Sequence, residues 1–243
     1  MLRRLPFRGT LLNTLTVLVG ACLGLLLGQS LREDLKDVAL IGIGLINVGL
    51  GVKLFLETKN ILIPGIAIIG GGILGAAIGI DVGLANLADS LKSIVGGDEN
   101  FNEGLITASV LFCVGPMTLL GCIKDGLERD IHLLALKSVF DMVAACFLAA
   151  SLGTGVLVSA GVVLVVQGIL TALARPLKPL ATNPQLAAEA SAAGGAIMVA
   201  IAVNLLKLRH ISTEVFLPAL VIAPLIAPLF LNKSVSPVTS DIE

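Results

Sequence analysis

Residues 131–174 read IHLLALKSVFDMVAACFLAASLGTGVLVSAGVVLVVQGILTALA. Two apolar runs, Ile131–Leu152 and Thr154–Ala174, meet at Gly153, and Lys137 and Asp141 are the charged residues within them. Each run matches the roughly 20 residues that a helix needs to cross a bilayer. In hydrocarbon a helix satisfies its own backbone donors and acceptors, which an open strand cannot do. A turn this short, resting on Gly153 and Gly155, sends the chain straight back. The stretch therefore predicts two transmembrane helices joined as a hairpin.

The same reading carried outward finds six more spans: Thr10–Gly28, Val38–Leu56, Ile61–Ile80, Gly104–Cys122, Gln185–Leu206 and Glu214–Leu231. The predicted fold class is all-α, a polytopic transmembrane helical bundle of eight spans, with seven as the alternative. One transmembrane domain covers residues 10–231, with short segments 1–9 and 232–243 outside it. Composition agrees, because 56% of the 243 residues are hydrophobic and 14% are charged. An ordinary soluble domain is about 25% charged, so this surface must face something apolar, and the lipid bilayer is the expected partner. A net charge of -1 without a basic tract argues against nucleic acid. Trp and Tyr are both absent, so Lys, Arg and a few Phe must anchor the helix ends at the interfaces.

Lys and Arg also set orientation. With the N-terminus inside, Arg3, Arg4, Arg8, Lys53, Lys59, Lys124, Arg129, Lys137, Arg175, Lys178 and Lys233 fall on the inner side. Arg32, Lys36, Lys92, Lys207 and Arg209 fall on the outer side. This asymmetry predicts a plasma (inner) membrane protein with both termini in the cytoplasm. Arg3, Arg4 and Arg8 before Leu11–Leu27 imitate a signal peptide, and Val19-Gly20-Ala21-Cys22 resembles a lipoprotein cleavage site. Apolar sequence continues past that point, so a retained first helix is the simpler reading. The cysteines, Cys22, Cys113, Cys122 and Cys146, lie in apolar runs without metal spacing and read as packing residues.

Between spans three and four, Leu84, Leu87, Leu91 and Ile94 recur at helical spacing opposite Asn86, Asp89 and Lys92. This predicts an amphipathic helix over 81–95 lying in the outer interface, with a lid over a cavity as the alternative. Glycines cluster in span two (Gly42, Gly44, Gly49, Gly51) and span three (Gly70, Gly71, Gly72, Gly75, Gly79). Small residues let helices approach closely in lipid, so both spans are expected to pack tightly inside the bundle. Spans two and three also align without a gap on spans seven and eight, setting Lys53 against Lys207 and Pro64 against Pro218. With span one matched loosely to span six, this suggests an inverted repeat of spans 1–3 and 6–8, an arrangement of many secondary transporters.

Residues 101–127, FNEGLITASVLFCVGPMTLLGCIKDGL, place Gly115-Pro116 in the middle of span four. Proline lacks an N–H and clashes with the carbonyl four residues back, here that of Phe112. The freed carbonyl needs a partner at membrane depth, and Thr107, Ser109 and Thr118 carry nearby hydroxyls. The span is kinked, either as a purely structural bend or as a broken helix lining a site. Lys137 and Asp141, four apart, share a face and can pair. Lys124 and Asp125 end span four on the same side, so these four could form a charged cluster at the cytoplasmic mouth. Glu189 lies near the start of span seven, where a helix N-terminus stabilises its charge. Asn13, Asn47, Gln167 and Asn204 are neutral polar residues inside spans, suited to interhelical hydrogen bonds or to a polar path. His132 and His210 sit at span ends and read as interfacial.

The pieces LFCVGPMTLLG, KDGL at Lys124–Leu127 and LKSVFD at Leu136–Asp141 resemble the signature of the YqgA/YdfK-like family of uncharacterised bacterial multi-pass inner-membrane proteins, a domain of unknown function. The opening GTLLNTLTVLVGACLG, Gln167-Gly168 and Gly194-Gly195 also fit. The resemblance implies a multi-pass membrane protein and supplies neither substrate nor catalytic residues. Three functional classes compete. A transporter of a small solute or ion, with its site around spans four and five, comes first. A membrane-embedded interaction or assembly protein comes second, and a homo-oligomer is compatible with both. An enzyme is not expected, because no nucleophile with a base is visible. Nor is any cofactor or metal.

Overall fold

The computed structural model describes residues 7–231. It is built from α1 (Arg8–Gly28), α2 (Glu33–Phe55), α3 (Leu62–Ala77), α4 (Ile80–Val95), α5 (Phe101–Cys113), α6 (Pro116–Glu128), α7 (His132–Leu152), α8 (Thr154–Ala172), α9 (Lys178–Thr182), α10 (Pro184–Leu205) and α11 (Ala219–Leu231). A 3-10 turn at Thr213–Phe216 leads into α11. Arg3, Arg4, Lys233 and the tail 232–243, on which the orientation argument partly rests, lie outside the described residues.

Helices α1, α2, α7, α8 and α10 and the segment Thr213–Phe230 are long and apolar enough to cross a membrane. Two bent pairs, α3–α4 at 57° and α5–α6 at 61°, raise the total from six to eight if each is one span. The outer surface carries bare apolar side chains: Phe140 is 70% and Leu229 72% exposed. A contiguous face of that kind in water marks an interaction or membrane surface, and here the bilayer covers it. Gly79 stops α3 with φ 71, and α4 turns aside as the expected amphipathic helix. Gly153 makes the predicted turn between α7 and α8, with φ 75. The two helices pack less on each other than α7 does on α1 and α8 does on α5.

Small residues decide which helices touch. Gly20, Gly24 and Gly28 form one stripe on α1, where a Cβ would collide with the carbonyls of Met142, Cys146 and Ala150 on α7. The contacts advance in the same direction along both chains, so α1 and α7 run parallel. On α2, a Cβ at Gly51 would stand 2.7 Å from the carbonyl oxygen of Gly195 on α10. Gly71, Gly72 and Gly75 of α3 meet Ala219, Phe216 and Val215. Gly42, Gly49, Gly70 and Gly79, in contrast, have nothing within 4 Å of a Cβ. Thus α2 and α3 pack tightly, as expected, but through only part of their glycine content. One stripe of each packs and the remainder faces outward.

Candidate functional site

The break between α5 and α6 organises the interior. Val114 is extended, Gly115 has φ 137, and Pro116 begins α6. That φ strains any residue with a Cβ, although the space around Gly115 is open. The Phe112 carbonyl, deprived of a helical partner, accepts the Thr118 hydroxyl at 3.2 Å. The pair nevertheless follows α8 from end to end. Gly155 abuts Phe101 and Leu105 near one end, and Gly126 abuts Thr171 and Ala174 near the other. The α5–α6 pair thus lies along the full length of α8, a helix long enough to cross a membrane, with its 61° bend between the two ends.

Against this break lies a buried ion pair. Lys137 of α7 donates to Asp141 one turn on, and Asn13 of α1 donates its Nδ2 to the same carboxylate oxygen at 2.9 Å. The side chains of the pair are 9% and 10% exposed. The Lys137 ammonium also stands 5.9 Å from the centre of the Phe112 ring, within reach of a cation–π attraction. Toward the start of α1, the Thr10 and Thr171 hydroxyls are 3.1 Å apart, and the Gly9 N–H donates to Asp125 at 2.9 Å. Charges and amides from α1, α6, α7 and α8 thus form one polar column.

That column is not fully satisfied. Asn13 Oδ1, Asp125 Oδ1 and both amide atoms of Gln167 are buried without a hydrogen-bond partner, as is Asn47 Nδ2 on α2. Buried polar groups are nearly always paired, so a concentration of spare donors and acceptors distinguishes this region.

The remaining predicted residues are placed elsewhere. Asp125 is fully buried against α1, while Lys124 is partly exposed and joins no ion pair among the described residues. The four-membered charged mouth is therefore replaced by a separate pair and a separate carboxylate. Glu189 of α10 accepts from the Thr58 hydroxyl at 2.6 Å and the Lys59 N–H at 3.1 Å, holding the α2–α3 loop. Asn204 bonds both the carbonyl and the N–H of Ile211 at 2.8 Å, closing the loop after α10. Thr10 and Thr171 were not foreseen. Their signal was available, since they lie three residues before Asn13 and four after Gln167, on the same helix faces.

On the opposite side of the break is an apolar groove of about 640 Å³. Its wall includes Cys113, Gly115 and Pro116 from the break, Leu87 from α4 and Val166 from α8. The break therefore separates an apolar compartment from a charged one.

Comparison with known proteins agrees with this architecture. The family described as "Protein of unknown function (DUF554)" matches residues 8–228. The "Uncharacterized membrane protein YdfK" of Bacillus subtilis (strain 168) is 25% identical over 222 residues, covering 90% of this chain and 94% of that protein. The "Uncharacterized protein YqgA" of Escherichia coli (strain K12) is 28% identical over 221 residues, covering 88% and 94% respectively. No solved structure matches the chain. With a family match running through all the apolar helices from α1 into α11, this chain is a multi-pass membrane protein of the DUF554 family.

Proposed function

We propose that this protein moves a small polar solute or an ion across the membrane, along the column formed by α1, the α5–α6 break, α7 and α8. The observation that carries the reading is the buried Lys137–Asp141–Asn13 cluster, with the spare polar atoms of Asn13, Asp125 and Gln167 around it. Ionisable groups at membrane depth are costly, and ordinarily mark a pathway or a relay. A broken helix beside them supplies irregular backbone where a site needs it. In this reading Asp141 is the anionic site, Lys137 its internal counter-ion, Asn13 and Gln167 polar ligands, and Gly115-Pro116 the hinge.

We also infer an inverted relation between spans 1–3 and 6–8, which would fit the same reading. Helices α1 and α8, α2 and α10, and α3 and α11 pack pairwise, which is compatible with such a relation. Reconstitution into liposomes with a panel of inorganic ions and small amino and organic acids tests the proposal. Flux through the wild-type chain that is abolished by Asp141→Asn is the expected result. Flux that survives Asp141→Asn, Lys137→Met and Pro116→Ala together would remove these residues from the pathway.

A second reading, a membrane-embedded assembly protein, is favoured by a specific observation. Asp141 and Glu189 each have hydrogen-bond partners inside the chain. It predicts that no solute tested is transported and that the column stays dry.

A further inference from the structure

The groove beyond the break is a feature that the transport reading leaves unused. At about 640 Å³ it falls among ordinary ligand sites of roughly 300–1,000 Å³. Among the described residues, Ser109 and Cys113 are the only polar side chains on its wall, and the Ser109 hydroxyl has no partner. A charged or strongly polar solute entering it would lose its hydration without replacement. Its occupant must therefore be mainly hydrocarbon.

The two ends of the groove differ. At one end Leu84, Leu87 and Leu91 of the amphipathic α4 close over it. At the other, the segment 175–180 reads RPLKPL. There Pro176, Leu177, Pro179 and Leu180 line the groove, while Arg175 and Lys178, interleaved with them, are exposed. Neither cation joins an ion pair among the described residues. Glu128, the last residue of α6, and Asp130, in the connection before α7, are the acidic residues at that end of α6. An apolar slot that ends at two free cations matches an amphiphile with a hydrocarbon tail and an anionic head, and basic pockets at a membrane surface hold such headgroups.

We propose that the groove binds one acyl chain of an anionic phospholipid, whose phosphate is held by Arg175 and Lys178. Ordinary solvation by the bilayer would fill the groove with any tail, without regard to headgroup. Headgroup selectivity that depends on those two cations therefore separates a site from solvent.

The test is native mass spectrometry of the full chain from nanodiscs holding equal amounts of phosphatidylglycerol and phosphatidylcholine with identical tails. The wild type is expected to retain phosphatidylglycerol over phosphatidylcholine about tenfold or more, the scale that two adjacent cations give an anionic headgroup. Arg175→Gln/Lys178→Gln should abolish the preference while leaving circular dichroism unchanged. Val166→Trp should fill the groove and block retention of both lipids. Because Val166→Trp could disturb folding, a phosphatidylglycerol with a photoreactive tail supplies an independent readout. It should label Val162–Leu170 of α8 in the wild type. Equal retention of the two lipids by the wild type would overturn the proposal. So would a preference that survives the double variant, or tail labelling confined to the outer surface of α1 or α2.

Discussion

Replacing Lys137 by Met leaves the Asp141 carboxylate buried with only the Asn13 amide against it. At an effective dielectric of 20, two unit charges about 4 Å apart attract by about 4 kcal/mol. Losing one partner of a buried pair costs about 3–5 kcal/mol, because the survivor keeps its desolvation penalty. Lys137→Met and Asp141→Asn should each fall in that range, the first leaving a buried anion and the second a buried cation. The double variant should be better than either sum suggests. Asn at 141 still accepts from Asn13 Nδ2, and no charge remains to be solvated. The coupling between the two substitutions should therefore exceed about 2 kcal/mol, within the range known for groups in direct contact. Reversible unfolding from mixed micelles by SDS, followed by circular dichroism, measures all four corners of this cycle. If the double variant loses the sum of the singles to within about 0.5 kcal/mol, Lys137 and Asp141 do not interact as described.

Thr118→Val strands the Phe112 carbonyl and should cost about 1–3 kcal/mol in the same assay, while Thr118→Ser should be close to neutral. Gly24→Val should push α1 off α7 and lose at least about 1–3 kcal/mol, whereas Gly42→Ala, which meets open space, should be neutral or gain about 0.5–1 kcal/mol. Glu189→Gln removes a charged acceptor from Thr58 and the Lys59 N–H. It should cost about 1.5–3 kcal/mol of stability, yet leave any flux measured per folded molecule unchanged.

Features set by one helix were legible in the sequence. The apolar lengths marked the helices, and the amphipathic segment expected over 81–95 appears as Ile80–Val95. Pro116 pointed to the Phe112 carbonyl because proline geometry fixes the distance back, and Thr118 indeed serves that carbonyl. Lys137 and Asp141 were matched by the helical repeat alone. Features that need two helices were not legible. Asn13 reaches Asp141 across 128 positions, and apolar helices rich in Leu, Ile and Ala carry no code for their partners. The stripe Gly20–Gly24–Gly28 was in plain view, yet its partner α7 was not specified by it. Glu189 was expected to be stabilised by its helix N-terminus, and its actual partners belong to a loop that only the fold brings near. The apolar groove was equally hidden, since its wall draws on α4, α5, α6, α8, α10 and α11.

Transport along the polar column requires that it open to water during function. Labelling of Gln167→Cys decides it, in a chain whose four native cysteines are replaced by alanine and which is embedded in sealed vesicles. A small, charged, membrane-impermeant thiol reagent is applied first from one side and then from the other. The thiol at 167 is expected to react, one of the Lys137 or Asp141 variants to change the rate, and Leu15→Cys, on the lipid-facing side of α1, to stay unreactive. A thiol at 167 that stays unreactive from both sides, in a protein shown to be folded, would contradict a transport path through this cluster and leave the dry, assembly-type bundle in its place.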